Sequence, residues 1–288
     1  MHLGISASAV DGTPQQRLPA WLTALLVGAT FVGLLLLEWR RPLRRSVESK
    51  IRRNARNFAL AAISASALRV AEMPVVNPLS TWVEESRWGL LKLTALPRWL
   101  EVPLAVALLD YTLYLWHILL HKVPLLWRCH QPHHVDLDMD ASTALRFHFA
   151  ELVASVPWRV GQITLIGVSP LALSIWQTAT LVEVIFHHSN VELPVGVERC
   201  LNKVIVTPRM HGIHHSVVKD EQNSNWSSGL TLWDWLHGTL RLNVPQQDIT
   251  IGVPAYQDPK DVTLPKVLSM PFNEQRPAWE LPGRGGES

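Results

Sequence analysis

The sequence predicts an all-helical protein, a polytopic bundle of membrane helices with a histidine-rich metal-binding cap on its cytoplasmic side. Hydrophobic residues make up 48% of the 288-residue chain and charged residues only 17%, whereas soluble domains carry about 25% charged residues. Several apolar runs approach the length of a membrane span. Ten of the thirteen histidines fall into four short clusters between residues 117 and 215, and imidazole is the commonest metal ligand in proteins.

The N-terminal part of the chain predicts a membrane anchor. Residues 1–17 are polar and predict a flexible tail, and residues 18–37 form an uncharged apolar run long enough to cross a bilayer. No basic region precedes this run, as one would in a signal peptide. The basic residues that follow it are Arg40, Arg41, Arg44, Arg45, Lys50, Arg52, Arg53 and Arg56. By the positive-inside rule this loop is cytoplasmic, and the N-terminus lies outside.

Three further apolar regions follow this loop. Residues 57–68 begin a segment that Arg69, Glu72 and two prolines interrupt, and we expect it to cross back outward. Residues 102–120 then return inward. Residues 149–186 contain a turn signal, Gly167-Val168-Ser169-Pro170, which divides them into two short passes of about 149–167 and 170–186. Full spans and a re-entrant hairpin are both compatible with these lengths.

After the N-terminal tail, the sequence predicts three further segments. Residues 18–100 hold the first membrane segments and the basic loop, residues 101–245 a catalytic domain, and residues 246–288 a C-terminal tail. The net charge of +2 does not favour a nucleic-acid partner, and two cysteines provide neither a disulfide framework nor a thiolate zinc site.

The spacing within the clusters predicts shared helical faces. His117 and His121 are four residues apart, so a helix places them on one side. Two triplets, His130-x-x-His133-His134 and His211-x-x-His214-His215, each present imidazoles at positions i, i+3 and i+4. We expect Pro132 to lie in a first helical turn, where proline is tolerated, and Pro208 to begin the second helix. Asp110, two turns before His117, is expected to orient a ligating histidine.

The remaining histidines are less clearly ligands. His187 and His188 point about 100° apart on a helix, so we expect one to bind metal and the other to stabilise the site, with His188 the preferred ligand. His148 is an accessory candidate, and His2 and His237 are interpreted as structural. So many imidazoles favour two metal ions, with iron, zinc, copper or nickel all suited to the donor set.

The order and spacing of the clusters resemble the fatty acid hydroxylase / sterol desaturase superfamily over about residues 105–240. The elements that carry the resemblance are Asp110-Tyr111 and Tyr114-Leu115-Trp116-His117 with His121, Leu126-Trp127 with His130-x-x-His133-His134, Thr143 with Arg146-x-His148, Phe186-His187-His188-Ser189-Asn190, Thr207-Pro208 with His211-x-x-His214-His215-Ser216, and Trp233-Asp234 with Gly238-Thr239.

The resemblance implies a membrane enzyme with a cytoplasmic di-iron centre. Such an enzyme uses dioxygen, and electrons from a separate donor such as cytochrome b5 or ferredoxin, to hydroxylate or desaturate a lipid or sterol. The resemblance favours His188 over His187 as a ligand. We also expect Asp110, Tyr114, Asn190 and Asp234 to lie beside the metal ligands and to support the chemistry.

Two other classes of function are considered. A zinc-dependent membrane hydrolase would normally carry a general-base carboxylate inside a histidine motif, and no cluster here contains one. A metal transporter or metal-binding protein would place its ligands along several spans, whereas these clusters are expected on one side of the membrane. The sequence identifies neither the lipid nor the electron donor, and hydroxylation and desaturation would use the same ligands.

Overall fold

The computed structural model describes residues 17–279. Within this range the chain is helical, with three isolated β-bridges and no β-strand, which confirms the predicted all-helical fold class. Most of the predicted N-terminal tail, with His2, lies outside the described residues. So does the end of the predicted C-terminal tail, residues 280–288.

Twelve α-helices lie within the described residues. In chain order they are α1 Ala20–Arg40, α2 Lys50–Ala67, α3 Met73–Ser86, α4 Arg98–Lys122, α5 Pro124–His134, α6 Phe149–Ile166, α7 Pro170–His188, α8 Val195–Leu201, α9 Pro208–His214, α10 Lys219–Gln222, α11 Leu232–Leu236 and α12 Leu264–Ser269.

The long helices alternate in direction, so every histidine cluster lies at one end of the bundle. Helices α1, α4 and α7 run toward this histidine end, and α2, α3 and α6 run away from it. At the histidine end, Lys50 at the start of α2 binds Glu38 near the end of α1 at 2.9 Å. At the far end, Lys92 binds Glu101 of α4 at 2.6 Å and also pairs with Glu84 of α3.

Three helical stretches are long and apolar enough to cross a membrane: Ala20–Arg40, Lys50–Lys92 and Arg98–Lys122. Helices α6 and α7 are the two passes that the sequence divides at the turn signal of residues 167–170. The turn between them is at Gly167, which has the left-handed φ of +86° that closes α6, and Ser169 caps α7 by accepting a hydrogen bond from Ala172 N at 3.2 Å.

The second membrane segment is longer than the sequence suggested. Arg69, Glu72 and Pro74 do not end the helix, because residues Leu68–Glu72 form a π-helical turn that joins α2 to α3. Proline removes a backbone donor and its ring collides with the carbonyl four residues earlier. A widened turn before Pro74 moves that carbonyl away, so the chain continues in the same direction.

The short helices and the C-terminal segment form the cap over the histidine end. Residues 246–279, predicted as the start of a C-terminal tail, pack against α2 and α5 through a core that includes Leu60, Val135, Val253, Val262 and Val267. Each of these five side chains is buried. The cap is therefore fastened to the bundle by apolar contacts as well as by the histidines.

Two glycines at the far end of the bundle, Gly89 and Gly167, pack so closely that neither has room for a side chain. At Gly89, with φ +105°, a Cβ would collide with the backbone of Gly167 and approach Thr164 O to 2.8 Å. We expect Gly89→Ala to destabilise the protein by about 2 kcal/mol or more, measured as a lower melting temperature in detergent. Gly161→Ala is the matched control, because a Cβ there meets no atom within 4 Å. Equal melting temperatures for the two variants would contradict this packing.

Candidate metal centre

Ten imidazole rings meet where four helices end. Helix α4 supplies His117 and His121, α5 supplies its triplet, α7 supplies His187 and His188, and α9 with the residue after it supplies the last triplet. Nine of the ten side chains are buried, and His121 is half-buried. The structure thus brings together all ten histidines that the sequence marked as candidate ligands.

Eight of these histidines form two groups of four. In each group the four ligand nitrogens lie within 4.8 Å of one another. The first group is His117, His121, His134 and His214, and the second is His133, His188, His211 and His215. Histidines that are adjacent in sequence belong to different groups, because neighbouring side chains on a helix diverge by about 100°. The two groups therefore share two helices and lie side by side.

The second group has more lone pairs than hydrogen bonds can satisfy. His188 Nδ1 donates to the carbonyl of Val184 at 2.8 Å, so the Nε2 of the neutral ring carries a lone pair and no proton. This Nε2 lies 3.0 Å from Nε2 of His133 and 3.0 Å from Nε2 of His211. One lone pair cannot serve two such partners well, whereas a cation among the rings is bound by all of them.

The first group is oriented in the same way. His117 Nδ1 donates to the carbonyl of Trp226 at 2.7 Å, and His214 Nδ1 donates to the carbonyl of Ser224 at 2.9 Å. Nε2 of His214 is buried and has no hydrogen-bond partner among the described residues, and the same is true of His121 Nε2. Backbone carbonyls that fix the tautomer and aim Nε2 are a regular feature of metal-binding histidines.

Burial keeps these rings neutral. It lowers the pKa of His214 to about 3. Burial, together with neighbouring imidazoles, also holds the pKa values of His133, His134, His211 and His215 well below the usual 6.5. Metal binding requires the neutral ring. The eight histidines therefore fit a pair of metal ions with four imidazole nitrogens each, the donor number of a tetrahedral or open octahedral site.

His130 and His187 lie beside the two groups. His130 Nδ1 donates to Glu151 Oε2 at 3.0 Å, and its Nε2 lies 3.1 Å from Nε2 of His134. The ring of His187 lies 4.1 Å from that of His211, centroid to centroid. Metal binding by these two residues stays a prediction. The sequence did not mark Glu151, although a carboxylate near the start of an apolar helix is itself unusual.

Asp110 makes no hydrogen bond to a histidine within residues 17–279, which contradicts the orienting role expected for it. Its Oδ2 accepts hydrogen bonds from Trp233 Nε1 at 2.7 Å and from Leu230 N at 3.0 Å. The carboxylate tethers the start of α11 to helix α4, and the carbonyl of Trp226 orients His117 instead. Periodicity placed Asp110 correctly on the helix but could not show which segment packs against it.

The hydrogen bonds given for the other three predicted polar residues also go to the cap or the basic loop rather than to the histidines of the centre. Asp234 accepts from the backbone N of Trp226 at 2.8 Å and thereby positions the carbonyl that binds His117. Tyr114 OH lies 3.1 Å from Thr239 Oγ1. Asn190 joins the end of α7 to the basic loop, since its Oδ1 accepts from Arg44 N at 2.9 Å. Their contribution to chemistry stays a prediction.

The structure corrects or confirms four further expectations. Pro132 lies near the end of α5, not in its first turn, because the helix already begins at Pro124. His148 is not in the centre; its Nδ1 accepts from Ala150 N and caps α6. His237 lies outside both groups, exposed and stacked on Tyr114. Pro208 begins α9, as the sequence predicted.

A buried ion network holds the triplet of His130, His133 and His134 in place. Arg53 of α2 binds Asp136 at 3.0 Å and Asp140 at 2.6 Å. Arg146 Nε donates to the carbonyl of Pro132, within the triplet, at 2.7 Å. Burial alone would raise the pKa of Asp136, but Arg53, Arg146 and a third arginine lower it to about 2. Sequence reasoning missed this network because Arg53 and its two acidic partners are more than 80 residues apart.

A cavity of about 480 Å³ opens from the histidines into the bundle. Its wall at the metal end includes His117, His130, His133, His187, His188 and His211. The wall continues between α3, α4, α6 and α7 through mostly apolar side chains such as Leu113, Leu120, Leu181 and Val184. The space is large enough for a small ligand or part of a lipid chain.

Residues 102–239 match the family model described as fatty acid hydroxylase. This match, over nearly half of the chain, supports the fatty acid hydroxylase superfamily. The matched range contains all ten histidines of the centre as well as Asp234 and Thr239 at its end. No solved structure matches the chain.

Several enzymes are similar to about half of this chain. Ornithine lipid hydroxylase from Rhizobium tropici is 34% identical over 161 residues, 54% of this chain and 46% of the relative. Human alkylglycerol monooxygenase is 30% identical over 138 residues, 46% of this chain and 28% of the relative. Mouse cholesterol 25-hydroxylase is 27% identical over 144 residues, 49% of this chain and 47% of the relative. The matches thus cover half or less of each of these relatives.

If each group of four histidines binds its own metal ion, replacing one histidine should remove the metal from that group only. His214→Ala removes a nitrogen from the first group only, and His215→Ala removes one from the second group only. We expect each variant to lose about half of the bound metal, because removal of a ligand typically weakens its own site most. Elemental analysis of purified protein measures this.

His237→Ala is the matched control, since it removes an exposed imidazole near the centre and should leave the metal content unchanged. Equal losses from all three variants, or no loss from either ligand variant, would show that the two groups are not the metal sites.

Proposed function

We propose that the chain is a membrane-bound di-iron oxygenase that hydroxylates a lipid. The observation that carries the proposal is the cavity, because it places an apolar space directly against two groups of four imidazoles. A metal-storage or transport protein needs no such space. A lipid substrate does, since its reacting carbon must reach the metals while the rest of the molecule stays out of water.

The reaction would replace a C–H bond of the lipid by C–OH. One molecule of dioxygen, two electrons and two protons are consumed, and one water is released. When bound by the two groups of histidines, iron would supply the dioxygen chemistry that an unactivated C–H bond requires. Two of the relatives described above are hydroxylases and the third is a monooxygenase, which favours hydroxylation over desaturation.

The protein's own residues would orient the substrate and exclude water. Trp116 and Leu120 of α4 are buried and line the cavity beside His117. Val184 of α7 lies one turn before His188 on the opposite wall. A carbon held between these side chains is fixed near the metals, and positioning of this kind lowers the barrier by reducing the entropy lost on reaching the transition state. The apolar wall also limits side reactions with water.

We further propose that the centre faces the cytoplasm. The basic segment that follows α1 lies at the histidine end, where Arg44 N donates to Asn190 just after His188. Basic residues that flank membrane spans are enriched on the cytoplasmic side. Reductants are available on that side, and a separate protein such as a cytochrome b5 or a ferredoxin would deliver the electrons.

The principal test is a lipid mass spectrum of host membranes that express the intact chain or the His214→Ala variant. Under air, we expect species heavier by one oxygen with the intact chain only. His214→Ala should lower their amount by more than tenfold, since loss of a metal ligand disables the centre. Lipids lighter by two hydrogens would instead identify desaturation.

An anaerobic culture separates the oxygenase from a zinc hydrolase. Oxygenation stops without dioxygen, whereas hydrolysis does not. Glu151, which binds His130, is the carboxylate that a hydrolase could use as a base. Lipid changes that persist without oxygen would therefore contradict the proposal. Unchanged lipids in air, from folded, iron-loaded protein supplied with a reductase system, would also contradict it.

The orientation predicts the labelling of Cys200. This thiol is exposed on α8 at the histidine end, so a membrane-impermeant maleimide should label it in inverted vesicles and not in intact cells. In the control variant, Cys200→Ser with Leu93→Cys, the thiol lies at the far end, where Leu93 is 79% exposed. The control should label in intact cells. A reversed pattern would place the centre outside.

A further inference from the structure

A charged pair lies in the wall of the same cavity, away from the histidines. Arg159 of α6 and Glu72 at the end of the π-helical turn both line the cavity. Arg159 Nε lies 3.8 Å from Glu72 Oε1, and the two side chains are only 12% and 8% exposed. This separation is too long for a hydrogen bond. The buried Nε has no hydrogen-bond partner among residues 17–279.

The guanidinium of Arg159 is held in position by two other contacts. Its Nη1 donates to Gln162 Oε1 at 2.7 Å, and its Cζ lies 4.4 Å from the centre of the Trp176 ring, in a cation–π contact. These contacts leave Nε directed toward Glu72. An unmade hydrogen bond at a fixed, buried guanidinium costs free energy that a bound polar group can recover.

The pair is well separated from the metal end. Arg159 follows Glu151 by eight residues on α6, about 12 Å along the helix axis, and Glu151 binds His130. Trp176, on which Arg159 stacks, precedes His188 by twelve residues on α7, about 18 Å. Between these levels Leu181 and Val184 line the cavity. A molecule that fills the cavity would therefore meet histidines at one end, apolar groups in the middle and a charged pair beyond.

We propose that Arg159 and Glu72 bind the polar group of the lipid substrate, and that this group is uncharged and both donates and accepts hydrogen bonds, as an amide does. The assignment rests on the function proposed above and adds a substrate class to it. An amide oxygen accepts from Arg159 Nε while its N–H donates to the Glu72 carboxylate. The substrate would lie with this group in the bilayer interior and its oxidised carbon at the histidines.

Charge balance is the reason for an uncharged group. Arg159 and Glu72 neutralise each other, and both side chains are largely buried. A carboxylate bound at Arg159 would be repelled by Glu72, and an ammonium bound at Glu72 would be repelled by Arg159. Each would also bring an uncompensated charge into a site where desolvation is costly. An amide avoids both penalties because it leaves the net charge of the site at zero.

The test compares three ligands of one chain length, namely oleamide, oleic acid and oleylamine, for binding to the purified chain in lipid nanodiscs. Displacement of radiolabelled oleamide measures affinity without requiring turnover, with and without bound metal. We expect oleamide to bind the intact chain at least about tenfold more tightly than either charged ligand, a ratio typical of one charge-assisted hydrogen bond.

Two variants should shift this preference in opposite directions. Glu72→Gln leaves the guanidinium unbalanced, so oleic acid should gain about tenfold relative to oleamide. Arg159→Gln leaves the carboxylate unbalanced, so oleylamine should gain instead. The double variant should return the preference to oleamide. Arg128→Gln is the control, because Arg128 is bound to Asn273 O on the cap surface, and it should bind like the intact chain.

The proposal is overturned if the three ligands bind the intact chain equally, if none binds, or if both single variants shift the preference the same way. Should Arg159→Gln fail to fold, the order of ligands on the intact chain and on Glu72→Gln decides the matter. The outcomes separate the two proposals. Selective amide binding without oxygen-dependent lipid products would refute the oxygenase alone, and lipid oxygenation without amide selectivity would refute the polar-group site alone.

Discussion

Ten imidazoles lie in mutual contact at the end of the helical bundle, in an interior that keeps nearly all of them away from water. Backbone carbonyls accept the Nδ1 protons of three of them, so the corresponding Nε2 atoms carry lone pairs into the shared space. Lone pairs at 3.0 Å repel one another unless protons or cations lie between them. Burial suppresses protonation, as the low pKa of His214 shows. Metal cations bound by these nitrogens would remove the repulsion, and the proposed function rests on this arrangement.

The surrounding elements can be understood as supports for that arrangement. Helices α4 and α7 deliver their histidines at the same end because α6 and α7 form a hairpin closed at Gly167. The network of Arg53, Asp136 and Arg146 fixes the loop after α5. Asp234 fixes the segment whose carbonyl orients His117. Contacts of this kind, made to the ligands or to the segments that carry them, determine where each ligand nitrogen points. Their loss commonly weakens metal affinity by about 10- to 100-fold. The open side of the centre then faces the cavity rather than water.

The sequence predicted those parts that depend on short-range spacing. The four clusters, the helix start at Pro208 and the turn at Gly167 all follow from local patterns. The partition of His133 and His134 between two groups did not, since it depends on what packs against each side of α5. Asp110 was placed on the right helix with the wrong partner, because its contacts to Trp233 and Leu230 join residues 120 or more positions apart. Contacts of that range, including Arg53 with Asp136, come from tertiary packing and leave no periodic signal.

The central claim is that the two groups of histidines hold two metal ions, and iron in particular. The most direct measurement is the Mössbauer spectrum, with an iron count, of protein purified from cells grown on iron-57. The account predicts two iron ions per chain, both in nitrogen-rich sites, and the loss of about one of them in His215→Ala. A chain that binds a single iron ion under iron-replete conditions, or that binds zinc in place of iron, would contradict it.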